Sequence, residues 1–311
     1  MFSQSQWRLA YKTFYKDKAA TVGFVIIMIS LIVAVFANWI APYSPNIVAE
    51  GSTRLLPPGT EGHLLGTDQQ GRDILSRVIF GTRSSLLSAV LPVVAAASIS
   101  LILGIAAGYF QGFFGNFIMR LMDVFFAFPA VLLAIAITAI LGPGLLNVMI
   151  AIVIVRIPYM TRVVYTDTLQ ESQKEYIEAA KAFGINNTEI MFKQILPNVL
   201  PSIIAYSTTL AGVTITTVAG LSFIGLGVQP PNPDWGRMAS EGSDILLQGS
   251  AFVTFIPGFA ILILSFAFSL VGDGLRNALD PHERSKFKEN TAKKKMYQPI
   301  LQWKSAKKDV N

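Results

Sequence analysis

The sequence predicts an all-α integral membrane protein with six transmembrane helices, and three observations carry that prediction. Only 14% of the 311 residues are charged, against roughly 25% in an ordinary soluble domain. Those charges are segregated, so that long uncharged apolar runs alternate with short polar stretches. Most runs have about the 20 residues a helix needs to cross a hydrocarbon core.

In chain order, the head (1–18) carries Arg8, Lys12, Lys16 and Lys18 against one acid, Asp17. Residues 19–40 follow without a charge. They exceed the roughly 7–15 apolar residues of a cleavable leader and end in Asn38-Trp39-Ile40, so they read as a retained first span. Residues 41–85 are broken by Pro42, Pro45, Pro57 and Pro58. In their last part Ile74, Leu75, Val78 and Ile79 recur at helical spacing, which predicts an amphipathic helix at the membrane interface. Residues 86–275 hold the remaining five spans.

The second span (86–110) has Gly104 and Gly108 in GxxxG spacing, read as a helix-packing face. The third (121–141) starts with Arg120 and Asp123, three apart and able to pair on one helix face. The fourth (145–165) is interrupted by Arg156 and Pro158. An arginine at mid-span costs about 2.5–3.5 kcal/mol on insertion scales, so Arg156 is expected to face protein or water. The fifth (198–226) is dense in hydroxyls, and Thr214, Thr217 and Ser222 are candidates to line a transport route. Residues 237–250 read as an outer loop before the sixth span (251–271), and 276–311 as a basic tail.

Orientation follows from charge. With six spans and both termini inside, nineteen Lys and Arg lie inside and five outside, which satisfies the positive-inside bias. Arg72, Arg77 and Arg83 are more positive charge than an outer segment normally carries. The formal net charge of +6 sits mostly in the tails beside spans, which assigns it to orientation and lipid, not to nucleic acid. The absence of cysteine excludes disulfides and thiolate metal sites. The two histidines, His63 and His282, lie far apart, so no metal site is expected.

The organising stretch is Glu175–Pro197, EYIEAAKAFGINNTEIMFKQILP, polar and set between two apolar runs. Tyr176, Ala179, Ala180 and Phe183 fall on one stripe of a short helix that Gly184 stops. Asn187 is placed to cap a second short helix with Glu189 in its first turn. Leu196-Pro197 marks a turn where the chain re-enters the membrane.

Glu178-Ala179-Ala180, Gly184 and Leu196-Pro197 resemble the coupling-loop signature of permease subunits of ATP-binding-cassette (ABC) importers, with Gln194 where isoleucine is usual. Three further segments resemble the dipeptide, oligopeptide and nickel branch: GTDQQGRD (66–73), LSFIGLGVQPPNPDWG (221–236) and GDGLRNALDP (272–281), the last with Asn277 in place of an aspartate. The resemblance implies the type I importer permease fold, a C-type subunit and a bacterial cell membrane. It also implies a second homologous permease, two cytoplasmic ATPases and an external solute-binding protein. Residues 166–197 would form the loop docking on the ATPases. This chain has no GxxxxGK[ST], so ATP and magnesium are expected on the partners and no cofactor or catalytic residue here. Peptides are the expected cargo. Nickel or a metal chelate is the alternative within the family, and an ion-coupled carrier or channel the alternative outside it. A receptor without transport is weaker still.

Overall fold

The computed structural model describes residues 11–48, 54–246 and 249–279. Among them helix is the only extended regular structure. Asp17 caps α1 (Lys18–Val35), its carboxylate accepting from the N–H groups of Ala19 and Ala20 at 3.0 and 3.2 Å. A one-turn helix, Ala37–Ile40, ends this first apolar run. There follow α2 (Ile74–Phe110), α3 (Gly112–Phe126), α4 (Ala130–Leu141), α5 (Leu145–Ser172), α6 (Glu175–Ala182), α7 (Asn187–Ile190), α8 (Leu196–Phe223), α9 (Trp235–Ser243) and α10 (Phe252–Leu279). Five stretches are long and apolar enough to cross a membrane: α1, α2, α5, Asn187–Phe223 and α10. The pair α3 and α4, bent by 86°, makes a sixth if taken as one span.

Several boundaries differ from the sequence expectation. The amphipathic stretch at 73–83 is no separate interfacial helix. It forms the first turns of the 37-residue α2, about 55 Å long at 1.5 Å per residue. The third span is not straight: it starts at Gly112 and breaks at Ala127–Pro129, where proline lacks a donor and biases the residue before it away from helix. Conversely, Pro158 does not interrupt α5, which runs unbroken over 28 residues. Apolar helices tolerate proline when neighbouring helices support the freed carbonyl. The 237–250 loop contains most of a helix, α9.

Packing follows the small residues. α2 lies along α5, α8 along α10, and α1 along α10. A Cβ at Gly104 would lie 2.6 Å from the Val164 Cβ, and one at Gly108 2.7 Å from the Thr168 Cβ. The GxxxG pair is therefore the seam between α2 and α5, where absence of bulk lets backbones approach. At Gly212 a Cβ would stand 2.5 Å from the Ser265 carbonyl, and Ser265 Oγ donates to the Gly212 carbonyl at 2.7 Å. Gly108→Val is expected to lower the Tm of the purified protein by several degrees, since overpacking costs about 1–3 kcal/mol. Gly220→Ala, where no atom lies within 4 Å, is the control and should leave Tm unchanged.

The end of the bundle that carries residues 54–73 is closed by buried charge. Asp68, Arg72, Asp73 and Arg77 are all at most 5% exposed. Asp68 Oδ1 accepts from the backbone N–H groups of Gln70 and Arg72, both at 2.9 Å, and its Oδ2 takes Arg72 Nε at 2.6 Å. Arg72 reaches on to Glu241 of α9 at 2.8 Å. Arg77 stands 3.5 Å from both Asp68 and Glu241 and donates to the Pro45 carbonyl at 3.1 Å. Asp73 caps α2 through Ser76 N–H at 2.8 Å and meets His63 Nδ1 at 3.0 Å. The Trp235 indole donates to the Val78 carbonyl at 3.0 Å, so α9 docks on the first turns of α2. Asp234 caps α9, and its burial pushes the carboxyl above the usual range. The excess arginine noticed in this segment is thus an internal clamp. Arg83 serves separately, donating to the Ala34 carbonyl at the end of α1 at 2.5 Å.

Candidate functional site

At the opposite end of the bundle the chain leaves α5 at Ser172, forms the hairpin of α6 and α7, and returns in α8. Gly184 adopts φ +72°, the left-handed turn predicted for it, and no atom lies within 4 Å of a Cβ built there. Asn186, not Asn187, caps the second helix, its side chain accepting from Thr188 N–H at 3.2 Å. Leu196-Pro197 is not a turn. A π-helical stretch, Met191–Ile195, joins α7 to α8, so helix runs without a break from Asn187 to Phe223. Pro197 and Pro201 cannot donate to carbonyls one turn back, and the wider helical turn stands just ahead of that gap.

The faces of α6 are also distributed differently from the expected stripe. Ile177 and Ala180 point inward and join the main core with Ile190. Glu178, Ala179 and Gly184 are exposed, and the Phe183 ring is 85% exposed at the tip of the hairpin. Phe192 is exposed beside it. Large apolar side chains on a protruding polar hairpin mark a contact surface.

Three anchors fix the hairpin to the long helices. Glu171, buried at the end of α5, accepts from Lys174 Nζ at 2.5 Å and from the Tyr176 hydroxyl. Burial and that hydrogen bond push the Tyr176 phenol above its ordinary value, so it stays a donor at physiological pH. Asn198 of α8 donates to the Tyr176 oxygen at 3.1 Å. Tyr109, at the end of α2, donates to Asn187 Oδ1 at 2.7 Å while Lys181 Nζ lies 4.9 Å from its ring centroid. Sequence reading missed Tyr109, Glu171 and Asn198. Their partners are brought together only by the fold, and only Glu171–Lys174, at i,i+3, was legible as spacing.

The other candidates scatter. Thr214 and Ser222, the other two hydroxyls expected on a transport route, are fully buried within the chain. Thr217 is half-buried; its hydroxyl donates to the Val213 carbonyl at 2.9 Å and accepts from Arg156 Nη2 at 3.3 Å. Arg156 faces protein as expected, 7% exposed. Asp123 does not pair with Arg120 but with Arg162 of α5, at 2.5 Å, and Arg162 lies 4.4 Å from the Phe126 ring centroid.

Comparison with known proteins agrees with this architecture. Residues 100–285 match the family model described as binding-protein-dependent transport system inner membrane component, and residues 5–58 the N-terminal transmembrane domain of oligopeptide transport permease C. The chain is 40% identical over 283 residues to the glutathione transport system permease protein GsiD of Pectobacterium atrosepticum, covering 91% of this chain and 93% of that one. It is 42% identical over 281 residues to the dipeptide transport system permease protein DppC of Alkalihalophilus pseudofirmus, covering 90% and 91%. Among solved structures, an inward-facing form of the MetNI methionine ABC transporter superposes with a TM-score of 0.55 at 19% identity, covering 67% of this chain and 98% of that one. Helix order, the two family matches and near full-length relatives place this chain in the family of ABC importer permeases, the inner membrane components of binding-protein-dependent transport systems.

Proposed function

We propose that this chain is the C-type permease of an ATP-driven peptide importer and that the α6–α7 hairpin is where partner ATPases push on it. The observation that carries the substrate class is identity of 40–42% over about nine-tenths of the chain to permeases named for glutathione and dipeptides. The hairpin supports the coupling role: Phe183 and Glu178 are presented outward while three anchors tie the same unit to α2, α5 and α8. A load on α6 therefore reaches three membrane helices at once. Glu178, Ala179 and Gly184 form the docking edge; Ala180, Leu196 and Pro197 seat the hairpin on the bundle. The chain supplies half of the route, a second permease the other half. Two cytoplasmic ATPases holding ATP and magnesium drive it, and an external binding protein delivers the peptide.

The test is uptake by proteoliposomes holding both permeases and both ATPases, with the binding protein added outside. Dialanine or glutathione should accumulate only with ATP inside. Accumulation by this chain alone under an ion gradient would overturn the proposal. Orientation has its own check. In whole cells, a single cysteine at the exposed Asn232 should react with an impermeant maleimide and one at the exposed Thr188 should not. The reverse pattern would place the hairpin outside, where no ATPase can reach it.

A further inference from the structure

We infer that Arg156 is a carboxylate-binding site in the translocation route, receiving the free carboxylate of a peptide in transit; this rests on the peptide reading above. The site lies eleven residues into α5, about 17 Å from its start and so near mid-bilayer. Arg156 is 7% exposed, and no carboxylate among the described residues pairs with it. Among the described residues its Nη2 donates to the Thr217 hydroxyl at 3.3 Å, while its Nε is shielded from solvent and finds no partner. Its charged neighbours are few, and the side chains within electrostatic reach are those of Tyr159 and Tyr206.

The contrast with Arg162 on the same helix gives the unpaired state its meaning. Six residues along, Arg162 is half-exposed yet fully matched, by Asp123 at 2.5 Å and the face of Phe126. Among the described residues the more accessible arginine has its counter-ion and the buried one lacks it. A guanidinium cannot shed its proton to escape burial, so its field must be met by an anion from elsewhere. Thr217 is itself half-buried, which puts Arg156 at the rim of the α5–α8 contact, where an entering group can meet it. A planar fork of donors fits a carboxylate with two parallel hydrogen bonds. Peptides with a free C-terminus carry that group, whatever their side chains. One arginine can therefore serve many sequences.

The experiment measures turnover of dialanine and dialanine amide by the complete reconstituted complex, each at saturating occupancy of the binding protein. Wild type should carry the free acid at least tenfold faster than the amide. In Arg156→Gln that ratio should fall to near one, chiefly through loss of acid turnover. Arg156→Lys, which keeps the charge but not the fork, should restore part of the preference. Equal losses for acid and amide, or an unchanged ratio, would overturn the inference and leave Arg156 a packing residue. So would failure of Arg156→Gln, but not Arg156→Lys, to co-purify with the second permease, since the carboxylate would then be the partner's. If wild type carries neither dialanine, its amide nor glutathione, the peptide reading fails and this site falls with it.

Discussion

Replacing Gly184 by valine is expected to abolish uptake while the complex still assembles and still hydrolyses ATP. Gly184 sits at φ +72°, where a β-branched residue is strained by roughly 1–3 kcal/mol. Nothing lies within 4 Å of a Cβ there, so the substitution meets no clash and acts through the backbone alone. The turn sets the angle between α6 and α7, and Phe183, the residue before it, is the most exposed ring of the hairpin. Opening that turn moves Phe183 and Glu178 out of the arrangement proposed to meet the ATPase. Tyr109, Glu171 and Asn198 continue to hold the hairpin base. Uptake and ATP hydrolysis measured together in proteoliposomes check this: at least tenfold lower uptake at near-normal hydrolysis is the expected pattern. Normal uptake would show the turn to be mere surface. Gly184→Asn, which tolerates the left-handed region, should retain most transport.

The second large effect is expected at the other end. Arg77 is 1% exposed and holds Asp68, Glu241 and the Pro45 carbonyl together. Arg77→Met keeps much of the stem's volume but removes a charge from a buried network, leaving Arg72 and Arg237 to balance two carboxylates. Breaking one partner of a buried set costs about 3–5 kcal/mol, because the groups left behind stay desolvated. The expected readouts are a fall in Tm of the purified permease pair and faster proteolysis between residues 41 and 73. Glu241→Gln added to Arg77→Met should recover part of the loss, since it removes the carboxylate that Arg77 neutralised. A double variant no more stable than Arg77→Met would mean Glu241 is not coupled to it.

Reading from sequence succeeded where one helix's own chemistry decides the outcome. Apolar length gave the spans, because a hydrocarbon core accepts little but continuous helix. Gly184 gave the turn, because only small or flexible residues enter φ > 0 cheaply. Gly104 and Gly108 gave a close-packed seam, because spacing of four puts both on one helix face. It failed where the deciding partner lies far along the chain. Asp123 was paired locally with Arg120, yet Arg162 on another helix captures it.

Six apolar runs with a polar hairpin between the fourth and fifth, and motifs resembling those of importer permeases, were already written in the sequence. Hydropathy, glycine placement and local motifs suffice for that, since each acts within a turn or a bilayer thickness. Packing of the helices set which side of α6 faces out, buried Thr214 and Ser222, and paired Arg72 and Arg77 with Glu241. It also left Arg156 without a counter-ion among the described residues. Charge pairing depends on distance in space, and residues 164 and 169 positions apart in sequence come within hydrogen-bonding reach only after the helices pack.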